Sequence, residues 1–138
     1  MAKYSNVPAE TIYADLISLC ENGKKVSAHT SYATLRHLFL MVLDDKTNDV
    51  GFAFSGPFAK MDYLAKEYHL QKNNYRALNH FRAKIRNIKK QGEEDLKRMF
   101  TYDVRLFAEF VSCVYQKAIP DALLKFLPNE VWVESERS

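Results

Sequence analysis

One apolar stripe limits what this chain can fold into. Between residues 93 and 118, Leu96, Met99, Phe100, Val104, Phe107, Val111 and Val114 recur at steps of three and four. That spacing puts side chains on one face of an α-helix. A face so long and apolar has to be covered, so a helix over 93–118 is expected to form the spine of a hydrophobic core. Glu93, Glu94 and Asp95 open it, where acids complement the helix dipole. Pro120 lies just past its far end. Four glycines and four prolines in 138 residues are too few turn formers for a sandwich or barrel. The chain therefore reads as all-α, a compact bundle of five to six helices. Residues 1–128 form a single helical domain in this reading, with a C-terminal tail or linker over 129–138.

The remaining helices follow from the same period. A helix over 8–22 carries Ile12, Leu16 and Leu19 inward, with Ser5 or Asn6 as cap, Pro8 in the first turn and Asn22–Gly23 as stop. A second, over 31–44 and capped by Thr30 or Ser31, holds Leu35, Leu38, Phe39, Val42 and Leu43, and its wide stripe makes it central. Ser55–Gly56–Pro57 starts a third over 57–68, with Phe58, Met61, Leu64, Ala65 and Tyr68 inward. A fourth runs over 73–90 on Leu78, Phe81, Ile85 and Ile88, and a short one lies within 121–127. Val50, Phe52 and Phe54 alternate as in a strand, but no second strand is available for pairing. Residues 50–55 are read instead as an apolar loop or helix extension that delivers Phe52 and Phe54 to the core. Residues 1–6 are a loose lead. Val131–Trp132 is a docked extended piece before a frayed end.

Charge is distributed unevenly. Of 20 basic residues, seven fall between Lys72 and Lys90 (Lys72, Arg76, Arg82, Lys84, Arg86, Lys89, Lys90) with no acid among them. The other 13 face 17 acids, so this one segment accounts for the chain's net charge of +3. Lys72, Arg76, Asn79, Ala83, Arg86 and Lys90 share the side opposite the apolar stripe. Such a face suits a polyanion or an acidic protein surface.

Residues 61–85 resemble the helix-turn-helix of bacterial DNA-binding domains. Leu64 and Ala65 stand where that motif places an apolar residue and an alanine in its first helix, Tyr68 and Leu70 occupy the apolar positions that follow, and Tyr75 and Leu78 match those of the recognition helix. The turn carries His69 where the motif usually has a glycine in left-handed conformation. The resemblance implies a helix-turn-helix-like pair in the middle of the bundle. Its recognition helix would turn Gln71, Lys72, Asn73, Arg76 and His80 towards a major groove, where Arg suits guanine and Asn or Gln suits adenine. Arg82, Arg86, Lys89 and Lys90 would lie on phosphates, which position without specifying sequence.

Chemistry finds little support. There is no Gly-rich phosphate loop, no G-x-S-x-G and no carboxylate pair with a matched nucleophile. His29, His37, His69 and His80 show no metal-ligand spacing, and His37 is read as a partly buried, hydrogen-bonded side chain. Cys20 and Cys113 are read as buried free thiols of a reducing compartment. Asp103 interrupts the long stripe, and an unpaired buried carboxylate would be costly. It is read as a fresh helix start capped by Thr101, with a kink there. The competing reading is a salt bridge to an arginine of the basic helix. No leader or membrane-length apolar run is visible. The expectation is a non-catalytic, cytoplasmic nucleic-acid-binding module without cofactor, metal or membrane, with DNA preferred over RNA. It would be a small regulator or the N-terminal accessory domain of a larger DNA-processing protein such as a helicase. The alternative is a protein-interaction or homodimerisation bundle whose basic face meets an acidic partner.

Overall fold

The computed structural model describes residues 7–132. The expected lead, its Ser5 or Asn6 cap and the frayed end beyond Trp132 lie outside the described residues. Six α-helices and no strand occur among those described: α1 Ala9–Glu21, α2 Ala28–Thr47, α3 Pro57–Glu67, α4 Lys72–Arg86, α5 Glu93–Tyr115 and α6 Asp121–Leu124, with a 3-10 turn Ile88–Lys90 between α4 and α5. Helices α2 and α5 pack against each other at the centre. Helix α1 covers α5, α3 lies on α2, and α4 lies against α5.

Phe39 is the hub. It is fully buried on α2 and meets Phe81 of α4 edge to face at 5.5 Å between ring centroids, and Phe107 and Phe110 of α5 at 6.0 and 5.9 Å. Aromatic pairs in these tilted arrangements add to the burial of their area. Three helices thus converge on one ring. Met61 and Leu64 of α3 and Ile12 and Leu16 of α1 complete the same core. Val131 is buried in it too, as expected of a docked piece.

Several boundaries differ from expectation for local reasons. Helix α2 starts earlier because Ser27 is its cap, its hydroxyl accepting the Thr30 N–H at 3.2 Å. Pro8 precedes α1 as its N-cap. The basic helix stops at Arg86: Asn87 leaves helical geometry at φ −119° and ψ 37°, and a 3-10 turn follows. Helix α5 ends at Tyr115 with Gln116 left-handed at φ 55°. Residues 50–55 form a loop that does not reach the core. Phe52 is 59% exposed and makes a surface trio of rings with Phe54 and Tyr63. Helix α5 runs unbroken through Asp103, so no new helix begins there.

A polar strap ties the start of α2 to the start of α5. Glu93 accepts the Ala28 N–H at 2.8 Å and lies 2.9 Å from His29 Nδ1, while His29 Nε2 lies 2.8 Å from the Gln91 carbonyl oxygen. With acceptors at both ring nitrogens, the imidazolium is the form that satisfies both. Glu93, then Gln91, raise the His29 pKa above its ordinary 6.5, and the Ala28 N–H, then His29, lower that of Glu93 below 4.5.

Two outcomes follow. Phe39→Ala should cost about 3–5 kcal/mol, read as a lower denaturant midpoint at unchanged slope. The strap should show in the pH dependence of that midpoint. The His29 contribution is complete below pH 6.5 and disappears as pH rises through its raised folded value; the Glu93 contribution is complete above pH 4.5 and disappears on acidification through its lowered folded value. The difference between wild type and His29→Gln should therefore be largest between these values and shrink as pH rises above 6.5, which a midpoint-versus-pH series checks.

Candidate functional site

The outer side of α4 is built by what its inner side buries. Ala77, Leu78, Phe81 and Ile85 go into the core, which turns Lys72, Asn73, Arg76, His80, Ala83 and Arg86 to solvent. Two neighbours on the flanks are held by other helices. Asn74 donates to Glu109 of α5 at 2.8 Å, and the Tyr75 hydroxyl donates to Asp62 of α3 at 2.8 Å. That bond to Asp62 raises the Tyr75 pKa.

The approach to α4 is set by the turn after α3. His69 is left-handed at φ 59°. The Leu70 N–H donates to the Ala65 carbonyl at 2.8 Å and the His69 N–H to that of Lys66 at 3.3 Å. This double bond pattern is the Schellman closure of a helix, with His69 taking the left-handed place most often given to glycine. Four residues separate the end of α3 at Glu67 from Lys72, which opens α4.

The sequence-selected cations do not behave alike. Lys72, Asn73, Arg76, His80, Arg86, Lys89 and Lys90 are exposed. Arg82 is half-buried and paired with Asp62 at 3.3 Å. Arg82 and Arg86 both reach back over the Phe58 ring of α3, at 5.5 and 5.9 Å from its centroid. Lys89 and Lys90 sit on the 3-10 turn instead of continuing the helical face.

Lys84 points the other way. Its Nζ donates to Asp103 Oδ2 of α5 at 2.7 Å, and the same oxygen accepts the Tyr32 hydroxyl of α2. The side chains of Lys84 and Asp103 are only 19% and 9% exposed. The competing reading of Asp103, a salt bridge to the basic helix, is thus correct in kind, with lysine in place of arginine. Burial pushes the Asp103 carboxyl above the usual carboxylate range, against the opposing pull of Lys84 and Tyr32. Desolvation, then Asp103, raises the Tyr32 pKa as well, so its hydroxyl stays a donor. The clue to Lys84 was its place beside Phe81 and Ile85, on the apolar flank of α4. Nothing local pointed to Tyr32.

Two grooves flank the exposed ridge of α4, and small Ala83 and Asn87 border both. One, of about 750 Å³, lies towards α3 and includes Phe58, Asp62, Arg82 and Arg86. The other, of about 470 Å³, lies towards α5 and includes His80, Lys84, Gln91, Arg98, Met99 and Trp132. The rings of His80 and Trp132 stand 6.4 Å apart.

Other groups have quieter places. His37 is exposed, where a partly buried side chain was expected. Cys20 and Cys113 are free and half-buried, the thiol of Cys113 donating to the Tyr68 carbonyl at 3.2 Å. Desolvation pushes Cys20 up to about 11 and also raises Cys113, leaving both poor nucleophiles. No group of three His, Cys, Asp or Glu side chains among the described residues is placed to hold a metal ion. No described helix is long and apolar enough to cross a membrane.

The architecture defines an all-α bundle with one cationic helix on its surface. Comparison of the chain with models of protein families, with curated proteins and with solved structures gave no match.

The buried pair yields a test of its own. Asp103→Asn should destabilise by about 3–5 kcal/mol, because it strands the Lys84 ammonium. The triple replacement Lys84→Met, Asp103→Leu and Tyr32→Phe, which removes both charges and the hydroxyl that Asp103 accepts from, should restore wild-type stability or exceed it by about 1–4 kcal/mol. Equilibrium urea unfolding of the three proteins decides the matter.

Proposed function

We propose that this chain is a non-catalytic nucleic-acid-binding module that engages DNA through the outer face of α4, either as a small regulator or as an accessory domain of a larger DNA-processing protein. One observation carries the reading. Lys72, Arg76, Arg86, Lys89 and Lys90 are exposed, and none has a carboxylate partner among the described residues. Exposed, unneutralised cations along one short segment are the electrostatic footprint expected for a phosphate backbone. The helix-turn-helix resemblance adds to it, because left-handed His69 gives the turn the backbone that the motif's usual glycine would supply. Lys72, Asn73, Arg76 and His80 then form the base-reading end of the helix, with Arg86, Lys89 and Lys90 on phosphates. Arg82 is the weakest member of the set, since Asp62 already holds it.

A second reading draws on exposed Phe52 and its neighbours Phe54 and Tyr63. Aromatic side chains at a surface favour a protein partner, and the basic face would then meet acidic groups.

Salt separates the two. Binding to random duplex DNA, followed by anisotropy, should weaken linearly in log K against log salt. Arg86→Ala and Lys90→Ala should each reduce that slope by about one. Arg76→Ala should relax base preference instead. Absence of salt-dependent binding to any nucleic acid rejects the first reading and leaves the second.

A further inference from the structure

The break after α4 carries two lysines to a part of the surface that the basic helix alone does not reach. At Asn87 the backbone leaves helical geometry, and the 3-10 turn Ile88–Lys90 packs on α2 instead of continuing along α4. Ile88 is half-buried against the core and anchors the turn there. A cleft of about 370 Å³ results, lined by Ala33 and Arg36 of α2 and by residues 85–90. Four of its lining residues, Arg36, Arg86, Lys89 and Lys90, are exposed cations, and none is a carboxylate. No ion pair among the described residues engages any of the four. Arg86 rests near the Phe58 ring, a contact that leaves its charge unneutralised. The two grooves that flank α4 differ in this respect, since one contains Asp62 and the other Asp95 and Asp103. Arg36 is far from the basic run in sequence, and only the packing of the turn on α2 brings the two together.

Like charges around one cleft repel one another, and an anion seated among them relieves the repulsion. We infer that this cleft is a phosphate seat: it takes a backbone phosphate of a bound nucleic acid, with Arg36 of α2 as a contact residue beside Arg86, Lys89 and Lys90. The inference rests on the nucleic-acid reading and deepens it, because it turns the strand from the outer face of α4 towards α2. Arginine suits this place, since its planar fork donates two parallel hydrogen bonds to phosphate oxygens. Ala33, three residues before Arg36 and on the same face of α2, is small enough to leave the cleft open to a strand. A phosphodiester fits better than a small free anion, because all four cations are exposed and continue the α4 face instead of closing over a ligand. Phosphate contacts position a strand without specifying its sequence, so the seat adds affinity and orientation only.

Salt titration of the full chain with random duplex DNA, read by anisotropy, tests the seat. Arg36→Ala should lower the log–log slope by about one and weaken binding equally for unrelated sequences. Arg36→Lys should restore the slope, which guards against a folding defect in the alanine variant. Lys117→Ala removes an exposed cation beyond the end of α5 and should leave the slope unchanged. An unchanged slope for Arg36→Ala, where Arg86→Ala and Lys90→Ala lower it, overturns the seat while the outer face of α4 stands. A slope lowered as much by Lys117→Ala as by Arg36→Ala overturns it in favour of diffuse attraction. Calorimetric titration with sodium pyrophosphate supplies the remaining arm. Saturable binding that Arg36→Ala abolishes, with no change in the DNA slope, overturns the seat in favour of a small free anion. No salt-dependent binding to any nucleic acid overturns both readings together.

Discussion

The contact of Asp103 with Lys84 and Tyr32 sets the arrangement on which the surface of this protein depends. It joins α5, α4 and α2 at one carboxylate. Taking a carboxylate and an ammonium out of water is costly, and their attraction does little more than repay that. The raised pKa of Asp103 agrees with this: burial outweighs the help of its partners. What the contact provides is register. Sliding α4 along its axis by one turn would carry Lys84 about 5.4 Å from the carboxylate. Both charges would then lie unpaired in an apolar setting, at several kcal/mol each. The aromatic hub at Phe39 accepts many small adjustments, because apolar contact is non-directional; an ion pair of 2.7 Å accepts few.

The same logic divides the cations of the basic helix. Two are turned to internal use, Lys84 to Asp103 and Arg82 to Asp62, and so hold α4 against α5 and α3. Arg86 is intermediate, exposed but resting its guanidinium near the Phe58 ring. Lys72 and Arg76 are left outside at the start of the helix, and Lys89 and Lys90 beyond its end. The cationic surface is thus what remains after packing has taken its share, with Lys72 and Arg76 at one end of α4 and Arg86, Lys89 and Lys90 at and beyond the other. The first of these ends follows the turn fixed by His69.

Much of the fold was legible because it is encoded locally. The stripe from Leu96 to Val114 gave α5, the acids after Gly92 gave its start, and Ser55–Gly56–Pro57 gave the start of α3. Phe39 belonged to the helix expected to be central and is the hub of the core. What stayed hidden depended on distant partners. Asp103, judged by its neighbours in sequence, resembled the first turn of a new helix; only Lys84, 19 positions away, and Tyr32, 71 positions away, explain an unbroken one. The early start of α2 turned on Ser27, one cap candidate among several hydroxyls. The break at Asn87 has no proline or glycine to announce it. Phe52 looked like core by composition, yet the short loop after α2 keeps it at the surface. Of the candidate site, the cationic face was visible as a charge run, whereas the α4–α5 cleft was not, because Trp132 in its lining comes from a segment more than forty residues further along the chain.

That segment shows how burial of one residue places its neighbour at the surface. Val131 is buried in the core, and the next residue, Trp132, remains half-buried beside His80. The burial of Val131 and the place of Trp132 are therefore linked: whatever loosens the first also displaces the second. The end of the described chain is in this way part of the core on one side and of the surface beside α4 on the other.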